Sequence, residues 1–537
     1  MTARPRSVRD DGAAARSDWR QEWADSLGAR WKVDLAVLAL IVFCFGEVRP
    51  LSDPDLPMHL AVGEWIVRHH TVPTVEPFAW TRIGAPYFAY SWLPESLFYV
   101  VLRAFGHLGL RLLHGAVVLA CACSMVVLSR AAGWRPSQAI IMAGLNVVVA
   151  GLFVAFLRPQ TILLITLPLI WSAFLWMTSG RRTKLAVIVL FGASALTANS
   201  HIFFPLTLAP AALLLVHPPA RRRDGVLGVV SVVAGWFASP YALQWLGVFQ
   251  LNFAPNLLLR PPSAITELQP GFVAMLYPSL KPMAALVAAM LAVPWVSSRL
   301  QLTARERVMA GLYWALGLVL FGYAARLFVA WWLLAIVPVG WSVAYLTRDT
   351  AEGAPRFGVR LFGLVACVAV LAAELYVTRP LRRLEGDVVS RSLPTHDALP
   401  AEGIARWIDS NTVAVADTRL MTNFSYGSYL TWRLPGYSVS IDSRAIFPDS
   451  VGAAEAVVGA AERDIPLGPW RSAEVAILPL RYRAAAALDT ASGWRRAATV
   501  PGDPIALDST GLWVTDVWWR RHGKGNDVRP LSTKRIL

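Results

Sequence analysis

Charge is what this chain has least of. Only 16% of its 537 residues are Asp, Glu, Lys or Arg, against about 25% in an ordinary soluble domain. At 55% hydrophobic residues and a mean hydropathy of +0.48, a wholly soluble body is excluded. Cysteine is nearly as scarce. Cys44, Cys121, Cys123 and Cys367 all lie in apolar runs, and two residues apart on a helix do not share a face, so neither a disulfide framework nor a metal knuckle is indicated. Also lacking are a Walker loop, a Gly-rich dinucleotide fingerprint, HExxH and a GxSxG elbow, which removes the chemistries that carry those signatures. No internal repeat and no mid-span ionisable pair is found, and a transporter would be expected to show one or the other.

Long apolar runs are abundant instead. A bilayer core needs about 20 apolar residues per helix, and about 11 such runs are expected, at 33–49, 107–129, 137–156, 160–178, 184–200, 201–217, 225–245, 281–298, 307–324, 327–346 and 359–377. The fold class expected is thus a polytopic α-helical membrane protein. Its net charge of +15 resides largely in short connections: Arg130/Arg135, Arg181/Arg182/Lys184, Arg221 to Arg223, Arg299/Arg305/Arg307 and Arg348/Arg356/Arg360. These fall on alternate loops, so the excess reflects membrane orientation and not nucleic-acid binding. Residues 1–32, with seven basic and five acidic side chains, form a cytoplasmic tail in this scheme. The first run lacks a small-residue cleavage site and leads into further spans, as a membrane helix does.

With that orientation the loop 50–91 is exported, and it holds most of the stretch SDPDLPMHLAVGEWIVRHHTVPTVEPFAWTRIGAPYFAYSWLPE, Ser52 to Glu95. Asp53 and Asp55 stand at its start, just beyond the first span, where two carboxylates meet lipid headgroups. Leu56 to Arg68 has the spacing of a short interfacial helix, and Pro73, Pro77, Gly84 and Pro86 then break regular structure. Asp55 also suits the N-cap of that helix, and His59 follows one turn later. Ser91 to Phe105 reads as a half-buried outer helix, with the second full span starting after Gly106.

Other polar residues mark other outer turns. Arg158 interrupts apolar sequence before Pro159-Gln160, His201 follows Asn199, and Glu267 and Gln269 lie in a proline-rich loop from Trp245 to Lys281. Arg326 is the only charge between Val308 and Leu346. An Arg left in lipid costs at least ~2.5–3.5 kcal/mol, so Arg326 is expected at an outward hairpin turn. Arg158 and Arg326 are each either an interfacial anchor or a contact for a lipid phosphate. His201 reads as a surface histidine beside a turn residue, and Glu267 and Gln269 either contact a hydroxyl-rich ligand or cap a surface helix.

Beyond the transmembrane domain 33–377 the composition changes. The expected order is a linker at 378–400, an exported soluble α/β domain at 401–519 and a basic tail at 520–537. Strands are expected at 412–416, 438–441, 474–478 and 504–507, with helices at 401–410 and 450–463.

The loop motif DPD-x-x-x-H, with its Trp92-Leu93 pair, resembles the first exported loop of the GT-C superfamily of membrane glycosyltransferases. That superfamily includes protein O-mannosyltransferases, oligosaccharyltransferases and the aminoarabinose transferase of lipid A, and the chain is most similar to a bacterial branch of it. Matches in order are Asp53, Pro54, Asp55 and His59, then Arg158-Pro159-Gln160, Asn199 with His201, Pro240-Tyr241, Glu267 with Gln269, Arg326, Tyr426 to Leu430, and Asp442 with Arg444. Pro57 and Met58 stand where the branch has two aromatics, and Tyr90 where it has a histidine. The resemblance implies a sugar transferred from a polyprenyl-phosphate donor to an exported glycan, lipid or protein acceptor, at the outer face of a bacterial inner membrane. It implies Asp53 and Asp55 as catalytic acids and His59, Arg158, His201, Glu267, Gln269 and Arg326 as substrate-binding residues, with a divalent cation as the one candidate cofactor and no nucleic acid. The other class open to this sequence is a non-catalytic scaffold or lipid-sugar transporter with an exported docking domain.

Overall fold

The computed structural model describes residues 55–153, 157–180, 182–216, 222–253, 270–276, 283–300, 302–346, 405–408, 418–444, 446, 472–479, 488, 494–501 and 515–521. Asp53, Glu267, Gln269 and the expected spans at 33–49 and 359–377 lie outside them. So do the strands expected at 412–416 and 504–507 and the helix at 450–463.

Helix α1, Leu56–His69, follows the start of the acidic loop. It buries Leu56, Leu60 and Val62, carries Pro57 in its first turn and Arg68 and His69 in its last, and ends where His70 turns left-handed at φ 53°. Proline early and cations late match the orphan N–H groups and the dipole of a helix. Its Asp55 N-cap makes no side-chain capping bond. The capping role that the sequence suggests for Asp55 is therefore not the one observed.

Helix α2, Trp92–Ala132, is bent at Gly106, whose φ of 63° and ψ of −159° interrupt the helical backbone. The expected division at this residue is present as a kink within one continuous element. Helices α3 (Pro136–Phe153), α4 (Leu163–Thr178), α5 (Thr183–Ala198), α6 (Leu208–Val216) and α7 (Arg222–Phe237) follow, then α8 (Trp245–Phe253), α9 (Gly271–Ala274), α10 (Met283–Ser297), α11 (Ala304–Tyr323) and α12 (Phe328–Leu346). Short 3-10 turns at Pro159–Ile162, Phe204–Thr207 and Ala325–Leu327 open α4, α6 and α12. Their common core holds Trp171, Phe174, Phe321, Phe328 and Trp331.

Among the described residues two helices, Trp92–Ala132 and Pro159–Thr178, are long and apolar enough to cross a membrane. A third is the pair Ala325–Leu334 and Ile336–Leu346, bent by 67°. Pro338 sits inside α12 and cannot donate to the carbonyl four residues back, and Trp171 Nε1 donates to the neighbouring Leu333 carbonyl at 3.0 Å. The expected span 307–324 falls on α11, which is 20 residues long, and 225–245 overruns the end of α7 at Phe237.

The C-terminal part builds a five-stranded sheet in the order β2-β1-β3-β5-β4. The strands are β1 Thr418–Met421, β2 Tyr437–Val439, β3 Val475–Pro479, β4 Trp494–Pro501 and β5 Thr515–Arg521. β1 is parallel to β2 and β3, and β5 is antiparallel to β3 and β4. Helix α13, Phe424–Arg433, joins β1 to β2 and is capped by Asn423 Oδ1, which accepts the Tyr426 N–H at 2.8 Å. A Cβ on Gly427 would stand 1.8 Å from the Ile441 carbonyl oxygen, so this helix and the chain after β2 touch backbone to backbone.

The sheet continues into the acidic loop. Ala79 forms a parallel bridge with Val439, and the Phe78 carbonyl accepts Val439 N–H at 3.2 Å and Ser438 Oγ–H at 2.8 Å. Trp80 Nε1 donates to the Leu420 carbonyl and Thr81 Oγ1 to that of Ser440. One apolar cluster contains Met58, Val62, Ile66 and Tyr87 from the loop side with Tyr426, Tyr429, Val439 and Val475 from the sheet side.

Candidate active site

Two helices and three turns supply the polar residues at the mouth of the acidic loop. A Cβ on Gly63 would lie 2.1 Å from the Glu95 carbonyl oxygen, so glycine lets α1 meet the start of α2 at backbone distance. One turn earlier on α1, His59 Nδ1 then lies 2.9 Å from Glu95 Oε1. Glu95 is 5% exposed, and its Oε2 is buried without a hydrogen-bond partner among the described residues. Asp55 turns to Arg158, with Oδ2 3.2 Å from the guanidinium and side-chain exposures of 31% and 14%.

The turn after α5 fixes the next members. Asn199 Oδ1 accepts Trp92 Nε1–H at 2.7 Å, while its Nδ2 donates to the carbonyls of Ala195 and Ala238 at 2.8 and 2.7 Å. This amide ties the start of α2 to α5 and to the end of α7. Tyr241 performs the same service for the loop: its hydroxyl donates to the Pro73 carbonyl at 2.9 Å and accepts the Ala89 N–H at 3.0 Å. The His201 and Tyr90 rings meet edge to face, 6.4 Å between centroids, and Phe203 N–H donates to His201 Nδ1 at 3.2 Å.

The electrostatics tie these groups to Arg326, which is exposed on its 3-10 turn. Burial lowers the His201 pKa to about 3, and Arg326 and then His59 push the same way. With Nδ1 accepting, His201 is neutral and its hydrogen is on Nε2. The Tyr90 hydroxyl is raised to about 12, first by burial and then by Glu95 and Asp55, against the opposing Arg326. Tyr90 is consequently a neutral donor at physiological pH.

Of the residues singled out by sequence, Asp55, His59, Arg158, His201 and Arg326 are thus brought to one region around Tyr90, whereas Asp53, Glu267 and Gln269 lie outside the described residues. Glu95, the partner of His59, is not recognised as a site residue from sequence; the signal present was an acid in the first turn of an otherwise apolar helix. Among the described residues no three His, Cys, Asp or Glu side chains gather in a way that could hold a metal ion.

A second ionic cluster lies behind the loop. Arg444 NH2 contacts Asp442 Oδ2 at 2.6 Å and Glu76 Oε1 at 2.8 Å, with both carboxylate side chains fully buried. Its guanidinium stands 4.7 Å from the Tyr87 ring centroid and 5.3 Å from that of Phe78. Glu76 Oε1 also accepts the N–H groups of Phe78 and Ala79, so the cluster shapes the very segment that pairs with the sheet.

No protein-family model and no curated protein matches the chain. Solved structures do. The arabinofuranosyltransferase AftD from Mycobacteria superposes over 91% of this chain with a TM-score of 0.55 at 16% identity. The chain spans 41% of AftD's length. The apo oligosaccharyltransferase of Archaeoglobus fulgidus matches over 84% of this chain and 70% of its own, with a TM-score of 0.55 at 12% identity. The same enzyme tethered to an acceptor peptide matches over 85% and 70%, with a TM-score of 0.50 at 11% identity. At these identities the likeness is one of architecture, and this chain shares its fold with the arabinofuranosyltransferase and the oligosaccharyltransferase.

Proposed function

We propose that the chain is a glycosyltransferase that moves a sugar from a polyprenyl-phosphate donor to an exported glycan, lipid or protein acceptor at the outer face of a bacterial inner membrane. The observation that carries this reading is the convergence of Arg158 on Asp55, Arg326 near His201 and Tyr90, and His59 on Glu95, from separate turns and helices of an apolar body. The fold shared with the arabinofuranosyltransferase and the oligosaccharyltransferase supports it. In this reading the N-terminal tail 1–32 is cytoplasmic, and the acidic loop and the sheet domain within 401–519 are extracytoplasmic.

Transfer needs a base for the attacking hydroxyl and positive charge for the departing phosphate. The acceptor oxygen bonds to the anomeric carbon and its proton passes to a carboxylate. The bond from that carbon to the phosphate oxygen breaks, and the electron pair leaves with the phosphate. Asp55 Oδ2 is already engaged by the Arg158 guanidinium at 3.2 Å. We therefore assign the base to Asp53 and give Asp55 the task of holding Arg158 toward the phosphate with Arg326. Tyr90 and neutral His201 add hydrogen-bond donors beside that cation. Glu267 and Gln269 are proposed as acceptor contacts, and a divalent cation beside Asp53 remains compatible with this assignment.

The test uses purified chain in nanodiscs with a panel of polyprenyl-phosphate-linked pentoses and hexoses, read as sugar released to water or transferred to an envelope glycan extract. Asp53→Asn should lose about 10²–10⁴ in turnover, the usual worth of general-base assistance, and Arg326→Gln should weaken binding of undecaprenyl phosphate. Failure of the wild-type chain to turn over any donor, with phosphate binding indifferent to Arg326→Gln, would favour the scaffold instead.

A further inference from the structure

The His59–Glu95 pair is the one arrangement at the site whose chemistry the assignment above leaves unused. Its geometry is specific. Gly63 brings two backbones to a separation that no other residue permits, and the result is a carboxylate 95% buried against one imidazole nitrogen. The second carboxylate oxygen, Oε2, is buried with no hydrogen-bond partner among the described residues. The ion-pair partner of Glu95 among the described residues is His59. A buried carboxylate in that position favours the doubly protonated, positively charged form of its histidine.

The surroundings show where such a charge would be used. Facing the pair are Asp55 at the start of the same helix, with Arg158 on it, and Tyr90, His201 and Arg326 from the loop and two other turns. His201, neighbour to both Arg326 and His59, is held neutral first of all by burial. The permanent positive charge on this side of the site therefore comes from Arg158 and Arg326.

Resting on the donor-phosphate reading above, we propose that Glu95 is a positioning residue that holds His59 as an imidazolium, and that His59 is the third cation for the donor phosphate. Glu95 takes the Nδ1 hydrogen, which fixes the ring, and the hydrogen on Nε2 is donated to a phosphate oxygen as the sugar–phosphate bond breaks. No proton need be transferred. Arg158 and Arg326 carry permanent charges, so His59 is the member of the three whose contribution depends on pH and on its carboxylate partner.

Glu95→Gln separates this role from a structural one, because the Gln carbonyl still accepts the Nδ1 hydrogen and only the charge is lost. Undecaprenyl phosphate binding at pH 7.5 is measured for wild type, Glu95→Gln, His59→Gln and Arg326→Gln, each checked for thermal stability, together with a ¹⁵N-histidine NMR titration. We expect Glu95→Gln to weaken binding about tenfold, to move the His59 titration to lower pH, and to regain affinity as the pH falls toward 5.5. His59→Gln should weaken binding similarly with no recovery in acid, and the double variant should be no worse than His59→Gln. Unchanged affinity and an unmoved titration in Glu95→Gln, while Arg326→Gln does weaken binding, would overturn the role given to Glu95 and leave the phosphate site standing. Indifference of binding to Arg326→Gln as well would overturn the phosphate reading itself and this inference with it.

Discussion

Arg444 is the residue on which the attachment of the acidic loop to the sheet is expected to depend most. Its guanidinium serves two carboxylates, Glu76 at 2.8 Å and Asp442 at 2.6 and 2.9 Å, and both side chains are shut off from water. Replacing it with Met keeps most of the volume but removes the guanidinium from over Phe78 and Tyr87 and strands two buried acids. Removing one partner of a buried pair costs about 3–5 kcal/mol, and with two acids stranded we place Arg444→Met at about 4 kcal/mol at neutral pH. The deficit has a predictable pH dependence. Burial already raises the Asp442 pKa while Arg444 opposes the rise, so without Arg444 the carboxyl rises further. A folded-state value above the unfolded one adds stability below the unfolded pKa and loses it as pH climbs through the folded value. Arg444→Met should therefore be least impaired near pH 5 and most impaired near pH 8. Thermal unfolding in detergent across that range measures the effect, with limited proteolysis to show whether the loop around Arg82 becomes cleavable first. The variant carrying Glu76→Gln, Asp442→Asn and Arg444→Met together should recover most of the loss, since a buried triad is often replaceable by neutral groups. A loss below about 1 kcal/mol, or one that does not vary with pH, would refute the reasoning.

His201 makes the opposite pH demand. Its folded-state pKa of about 3 lies below the ordinary 6.5, so between these values the unfolded chain binds the extra proton and stability falls as the solution is acidified. His201→Asn, which keeps an acceptor for the Phe203 N–H, should flatten the melting-temperature profile between pH 6.5 and 4; parallel profiles would mean the imidazole is not held neutral. The proposed topology is checked in a cysteine-free background with Thr74→Cys or Arg419→Cys, both at exposed positions. Both should react with an impermeant maleimide in intact spheroplasts, and protection of both would sink the orientation.

The turn residues were legible because a membrane makes lone polar groups conspicuous. Arg158, His201 and Arg326 each stand in apolar sequence where a charge or ring nitrogen is costly, and the cheapest place for each is a turn, where the structure has them. Glu95 was hidden by ordinariness, since an acid in a first helical turn already complements the dipole. Asp55 misled for the same reason: its N-cap position is real, but its carboxylate goes to Arg158. Glu76 and Arg444 are 368 positions apart, and no local pattern links residues at that separation. Strands β4 and β5 were missed because WRRAATVP and TDVWWRR mix charge with apolar residues in a way that alternation alone does not identify.

The pairing of Phe78 and Ala79 with β2 also sets an order of events during biosynthesis. The Ser438 hydroxyl that bonds the Phe78 carbonyl lies 360 residues further along the chain. At roughly 5–20 residues per second, a ribosome takes about 20–70 s to cover that interval. During it the acidic loop has α1 from the start and helices α2 to α12 as each is made, but no strand beside it. Its backbone donors and acceptors must be kept by water or by a chaperone until the last fifth of the protein arrives. A chain cut short before β2 would carry the residues around Asp55 and His59 yet leave the wall behind them unbuilt, so the cell would receive a finished site only from a finished polypeptide.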